Sequence, residues 1–366
     1  MQSTELNNLF QDMISVGKHH SKKISALDDF KFVLSEEEYD YPTDKTNLAA
    51  VWFLFGERKE YVLLTYYSIL SFLRNTDLKD YNRYIVIPYD YQYEYLLPLF
   101  KQFGVGIKYT SKPFKYIDSN SDIVYNHTHV FSVDSDCFAY SVNEPKNYFS
   151  KLSLYLQSLS DVGILSPYLC MNLNKGGGLI MNRLYGYFIA LTGLTQSSLK
   201  KYYTDKEVGK KYFEPYHIDD IKMSLEPVIR ELDGRFKLNE LVTNFISSQW
   251  PVNEVFCLST EVFKDHLLYQ LIEISQKNQK WYWDDEIIYK IFFALTQQHN
   301  HHIIPLTKTP DNPTSFVIRP HGVPPLESME KDKLYFIHPY NEIGDWWDIK
   351  DLHRVLYNEK PSEEGL

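Results

Sequence analysis

The stretch from Leu48 to Tyr109 constrains the fold more than any other part of the chain. It begins with LAAVWFLF, a continuous apolar run from Leu48 to Phe55 bounded by Asn47 and Gly56. Apolar side chains on both alternating faces of a strand require cover on both sides, which is the situation inside a parallel sheet. Glu60 to Arg74 (EYVLLTYYSILSFLR) follows, apolar nearly all round and long enough for a buried helix. Tyr84 to Pro88 (YIVIP) reads as a second strand. Tyr91 to Phe103 reads as a second helix, irregular at Pro98, with Gly104 as its C-cap and Val105 to Tyr109 as a third strand. Strand and helix in strict alternation predict βαβ units around a mostly parallel sheet. A fourth strand, His129 to Val133, runs directly into Asp134-Ser135-Asp136.

The remaining segments are less regular. Asn172 to Asn182 (NLNKGGGLIMN) predicts a loop and then a strand, and 184–241 reads as largely helical and inserted. Val255 to Leu258 predicts a strand, Glu261 to Ser275 a helix, and Trp281 to Thr296 another helix. Ile303 to Leu306 and Leu334 to His338 predict short strands, with further helices over 5–16 and 348–357. No Pro/Gly/Ser linker divides the chain. The expected organisation is an N-terminal extension over 1–46, one α/β domain over 47–347 with a helical insertion at about 184–280, and a C-terminal helix and tail over 348–366.

Composition excludes several functions. The net charge of -10 opposes broad binding of nucleic acid, which needs a basic surface to displace counterions. The 3 cysteines include no C-x-x-C pair, against a disulfide framework or a thiolate zinc site. The first residues lack a signal-peptide apolar core, and no apolar stretch of about 18 residues occurs, so the expectation is a soluble or cytoplasmic protein with no transmembrane segment. Aromatic residues reach 16%, and some cluster beside candidate chemistry, at Trp52-Phe53, Trp281 to Trp283 and Trp346-Trp347. Flat rings of this kind stack on sugars and bases.

Four segments carry candidate chemistry. Asp134 and Asp136 stand two apart at the carboxyl end of a buried strand, where open α/β sheets bind ligands. Their oxygens are hard donors suited to Mg²⁺ or Mn²⁺, although Asp at a strand end also caps turns. Asn174-Lys175-Gly176-Gly177-Gly178 gives backbone that a ligand can approach closely, or a flexible turn. Asp284-Asp285-Glu286 follows three large rings and suits either a reacting centre or the first turn of a helix. His338 ends a short strand and could complete a metal site. No G-x-S-x-G and no G-x-G-x-x-G is present, against a hydrolase elbow or a dinucleotide oxidoreductase.

Taken in order, these segments resemble GT-A fold nucleotide-sugar glycosyltransferases of the glycogenin-like and bacterial lipopolysaccharide types. AAVWFLFGERKEYVLLTYYSILSFLRNT is similar to the family's nucleotide-binding start, FSVDSDCF to its D-x-D strand, and NKGGGLIMN to its Asn-x-Gly segment. WDDEIIYKIF is similar to its acidic helix start. HPYNEIGDWW resembles its closing His-x-x-Gly-x-x-Lys-Pro-Trp pattern, with longer spacing and no Lys after Gly344 in the motif. The resemblance implies a GT-A (Rossmann-like) fold and transfer of a hexose, glucose or galactose, from a UDP-sugar to a glycan or protein hydroxyl. It implies Mn²⁺ or Mg²⁺ on Asp134, Asp136 and His338. It implies base and ribose contacts from Phe53, Phe55 and Tyr61, and nucleotide-sugar contacts from Asp134, Ser135, Asn174 and Gly177. Asp284 or Asp285 would face the reacting centre, as a general base or beside an oxocarbenium-like state. Two alternatives stand beside it: a carbohydrate-binding protein with a degenerate site, and a metal-dependent phosphohydrolase or nucleotidyltransferase.

Overall fold

The computed structural model describes residues 37–42, 45–55, 60–112, 114–135, 137–139, 148–158, 162–166, 218–247, 255–277, 285–296, 302–305, 316–318 and 336–338. The segments expected over 5–16, 172–182 and 348–357 lie outside them. The described residues fall into two compact units, one drawn from 1–113, 120–159 and 307–366, the other from 114–119 and 160–306.

In the first unit, β1 (Leu48–Phe53), β2 (Asn82–Pro88), β3 (Gly106–Thr110) and β4 (His129–Val133) lie in the order β3-β2-β1-β4, every pair parallel. The chain is thus α/β, and its most apolar run is an interior strand. Every residue of β1 is buried, as the two-faced apolar pattern requires. Helix α1 (Glu60–Asn75) joins β1 to β2, and α2 (Asp122–Asn126) leads into β4. After β4 come β5 (Phe138–Ala139) and helix α3 (Tyr148–Ser158). Much of the aromatic excess is core. Trp52 meets Phe72 edge-on at 5.3 Å, Phe149 of α3 meets Phe131 at 5.0 Å, and Tyr81 lies 4.4 Å from Phe149.

Two differences from the sequence reading have local causes. Strand β2 starts two residues early, on polar Asn82 and Arg83, both buried. Asn82 Oδ1 accepts from the Thr46 hydroxyl at 2.7 Å, and Arg83 Nη2 donates to the Asp40 carbonyl at 2.5 Å. Satisfied in this way, polar side chains enter a core at little cost. The helix expected over Tyr91 to Phe103 is instead a 3-10 helix, Glu94–Phe103, with Pro98 inside it. Proline has no N–H to give an α-helical ladder.

Gly104 caps that helix with φ 57, and a Cβ there would stand 2.4 Å from the Asp40 carbonyl oxygen. Left-handed backbone costs a non-glycine residue about 1–2 kcal/mol before any clash. Gly104→Ala is therefore expected to lower unfolding stability by about 2 kcal/mol or more, read as a lower urea midpoint at unchanged slope.

The second unit holds β6 (Val162–Ser166), which the sequence reading lacks, paired antiparallel with β7 (Val255–Ser259) and parallel with β8 (His302–Pro305). Helices α4 (Ile218–Glu231) and α5 (Leu238–Ser247) fall in the expected helical insertion. The single helix expected from Glu261 breaks into α6 (Glu261–Lys264) and α7 (His266–Lys277). Asp265 between them is extended, and its carboxylate accepts from the Leu267 N–H at 2.8 Å, an N-cap that restarts the helix. Helix α8 (Asp285–Thr296) precedes β8. Back in the first unit, β10 (Phe336–His338) pairs parallel with β9 (Phe316–Ile318) and antiparallel with β5. Among the described residues no helix is long and apolar enough to cross a membrane.

Candidate functional site

Strand order β3-β2-β1-β4 reverses between β1 and β4. The chain leaves β1 towards β2, and returns from β3 to the other flank of β1. Open α/β sheets bind ligands outside the carboxyl ends of their strands at such a switch point. Trp52 pairs with Val133, so the register sets Phe53 level with Asp134 at that end. Phe53 is buried and Phe55 half-buried, their rings 6.3 Å apart. The Leu54 N–H donates to the Val86 carbonyl at 2.9 Å, which holds this exit of β1 against β2.

Asp134 is half-buried and Ser135 buried. The Cys137 N–H donates to the Asp134 carbonyl at 3.0 Å. The segment is therefore a tight turn that starts on an aspartate, the residue type that favours that position. Asp136 itself lies outside the described residues.

A stripe on α1 holds this turn and the strand after it. Thr65, Ser68, Ser71 and Asn75 follow one face of the helix, all buried. Thr65 Oγ1 lies 2.8 Å from Ser135 Oγ and 2.7 Å from the Tyr61 carbonyl oxygen. Ser68 Oγ donates to the Cys137 carbonyl and accepts from Trp52 Nε1 at 2.8 Å. Ser71 Oγ accepts from the Ala139 N–H at 3.0 Å, and Asn75 Nδ2 donates to the Ala139 carbonyl at 3.0 Å. Alternate residues 135, 137 and 139 are thus bonded by successive turns of one helix. Sequence reasoning missed this stripe, because three small hydroxyls hardly dent the apolar average of the helix. Their spacing on one face was the available signal.

Removing one rung leaves a buried hydroxyl unsatisfied, at about 1–3 kcal/mol. Thr65→Val keeps the shape and deletes the oxygen. It is expected to lower stability by that amount in urea unfolding, whereas Thr65→Ser restores most of it.

The β5–β10 pairing brings in a residue from the far end of the chain. Phe336 faces Ala139 and Ile337 faces Phe138, so the same register runs on to set His338 level with Cys137. The His338 backbone is therefore next to the segment that begins at Asp134. Among the described residues no group of three or more His, Cys, Asp and Glu gathers as a metal site.

The other sequence candidates divide as follows. Tyr61 is half-buried near the start of α1, its carbonyl bonded to Thr65. Asn174, Gly177 and Asp284 lie outside the described residues. Asp285 belongs to the second unit, where it opens α8 and is half-buried. Its Oδ1 accepts from the Lys115 N–H at 3.0 Å, and the Tyr289 hydroxyl donates to the Lys115 carbonyl at 2.5 Å. Two residues one turn apart thus bond both backbone groups of Lys115 in the 114–119 segment. Burial raises the Tyr289 phenol far above its ordinary range and keeps it a donor. One residue on, buried Lys290 sits 4.9 Å over the Phe245 ring, and burial pulls its ammonium down to about 7.

No protein-family model matches the chain, and no curated protein matches it. Solved structures do. One is the bifunctional glycosyltransferase WbbM, 12% identical over 90% of this chain and 55% of that one, with a TM-score of 0.40. Another is core-mannan synthase A (CmsA/Ktr4) of Aspergillus fumigatus in its Mn/GDP form, 10% identical over 75% of this chain and 78% of that one, at 0.38. Mouse xyloside xylosyltransferase 1 is 11% identical over 80% of this chain and 90% of that one, at 0.35. The chain thus spans little more than half of the first of these proteins. These likenesses are distant, and what the site can do follows from its own strands and side chains.

Proposed function

We propose that the chain is a metal-dependent glycosyltransferase of the GT-A type, moving a hexose from a UDP-sugar to a glycan or protein hydroxyl. The observation that supports this most is the acidic turn at the switch point between β1 and β4, tied down by the hydroxyl stripe of α1. A carboxylate held at the carboxyl end of parallel strands suits a ligand bearing phosphate and a divalent cation.

In this reading Asp134, Asp136 and His338 would hold Mn²⁺ or Mg²⁺. Two carboxylates and one imidazole suit such an ion, and the register that sets His338 beside Cys137 favours that set. When bound, the ion offsets the charge of the departing diphosphate. Phe53, Phe55 and Tyr61 would line the base and ribose, and Ser135, Asn174 and Gly177 the rest of the nucleotide sugar. Asp284 or Asp285 would face the reacting centre. Asp285 Oδ1 accepts the Lys115 N–H, which fixes that carboxylate at the start of α8. The expected extents, an extension over 1–46, a domain over 47–347 with its insertion at about 184–280, and a tail over 348–366, belong to the same reading.

The test is release of UDP from a panel of UDP-hexoses with Mn²⁺, with and without chelator. The proposal expects release from at least one donor, abolished by chelator. Release of inorganic phosphate or pyrophosphate instead would mean a phosphohydrolase or nucleotidyltransferase. Metal-independent sugar binding with no release would mean a binding protein.

A further inference from the structure

The residues after β2 read Tyr89-Asp90-Tyr91-Gln92-Tyr93-Glu94-Tyr95, and Tyr109 stands next to the last residue of β3. The rings of Tyr89 and Tyr109 stack at 5.6 Å with 13° between their planes. Tyr93 meets Tyr91 edge-on at 5.8 Å and Tyr95 at 6.5 Å. The Tyr109 hydroxyl donates to the Glu94 carboxylate, which ties the end of β3 to the start of the 3-10 helix. Tyr91 is buried, and its hydroxyl has no hydrogen-bond partner among the described residues.

Three of these rings, those of Tyr89, Tyr95 and Tyr109, are not core. Tyr89 is 69% exposed, Tyr95 61% and Tyr109 39%. They are three of the six large hydrophobic side chains exposed among the described residues, gathered in one place. Grouped exposed rings mark an interaction site, whereas scattered ones do not.

Charge selects the partner. Asp90 and Glu94 are the charged residues between Tyr89 and Tyr95, and both are exposed. Of the lysines near Tyr109, Lys108 is engaged by Asp122 at 2.5 Å and Lys112 is buried. An acidic surface repels phosphate-bearing ligands, nucleic acid and anionic membranes alike. A neutral pyranose fits instead. Its C–H face lies on a flat ring, and its hydroxyls donate to carboxylates and accept from phenols.

Position gives the patch a purpose. Tyr89 and Tyr109 stand at the carboxyl ends of β2 and β3, the same edge of the parallel sheet as Asp134. Strands lie about 4.8 Å apart, so β2 and β3 end roughly 10 and 14 Å across the sheet from β4. We infer that Tyr89, Tyr109 and Tyr95 form a platform that binds a neutral glycan chain beside the candidate site. That this glycan is the acceptor rests on the transferase reading above; that the patch binds a glycan does not.

The test is calorimetric titration of the full chain, without nucleotide sugar, against neutral oligosaccharides: linear α- and β-glucans, a mannan and a galactan fragment. Tyr89→Ala and Tyr109→Ala are compared with Tyr125→Ala. Tyr125 is 71% exposed on α2, which leads into the first residue of β4 and so lies at the opposite end of the strands. The expected result is binding of at least one oligosaccharide, weakened about tenfold or more by either platform change and unaltered by Tyr125→Ala. Binding indifferent to Tyr89→Ala and Tyr109→Ala overturns the proposal, as does absence of binding across the panel. Self-association that Tyr89→Ala abolishes, with no glycan binding, overturns it too and assigns the patch to a second copy. Because no turnover is read, failure of the transferase reading leaves this result intact.

Discussion

Asp134→Ala is expected to lower UDP-sugar turnover by about a thousandfold or more while the protein stays folded. A metal ligand that offsets the charge of a departing diphosphate supplies several kcal/mol, and about 4 kcal/mol corresponds to three decades in rate. The turn is held by backbone, Cys137 N–H to Asp134 carbonyl, and by the α1 hydroxyls on residues 135, 137 and 139. Thermal unfolding of Asp134→Ala is accordingly expected to stay within about 1 kcal/mol of wild type. A variant that turns over normally would remove Asp134 from the metal site. A variant that fails to fold would make the turn a stability element instead.

The largest stability effect is expected at Trp52. This ring is fully buried in β1, meets Phe72 edge-on at 5.3 Å, and donates from Nε1 to Ser68 Oγ at 2.8 Å. Trp52→Ala removes the largest side chain of the central strand and leaves a cavity, which costs about 3–5 kcal/mol. It also frees Ser68, which bonds the Cys137 carbonyl. Urea unfolding should show the loss in the midpoint. Trp52→Phe, which refills most of the cavity but lacks the N–H, should recover more than half of it. A loss below about 1 kcal/mol for Trp52→Ala would mean that β1 is not the packed centre of its sheet.

The parallel core was legible because its signals are local. An apolar run such as Leu48 to Phe55 has few conformations that hide both faces, and Asp134 follows its strand directly in sequence. What stayed hidden depends on partners. Arg83 looks like a residue that ends a strand, yet it enters β2 because two carbonyls distant in sequence take up its guanidinium. Thr65, Ser68 and Ser71 look like neutral fillers of a buried helix. Their role appears only once the 135–139 segment lies against them. The tyrosines from Tyr89 to Tyr95 alternate with polar residues and lead into what reads as a helix over Tyr91 to Phe103. They form a turn and a 3-10 helix instead, and the alternation ends as an exposed aromatic patch. His338 entered the candidate site as a histidine that ends a short strand, and again through a motif resemblance. The pairing of β10 with β5, about 200 residues apart in sequence, is a tertiary fact that no local pattern encodes.

Binding of Mn²⁺ in the presence of UDP tests the central claim most directly. Free Mn²⁺ gives a sharp six-line electron paramagnetic resonance spectrum that broadens and vanishes when the ion is held by a protein. The account predicts that wild-type protein with UDP depletes this signal at one ion per chain. It also predicts that Asp134→Ala and His338→Ala each leave the signal largely free, at protein concentrations where both remain folded. Equal depletion by wild type and both variants would contradict it, because the ion would then be held somewhere other than the switch point between β1 and β4.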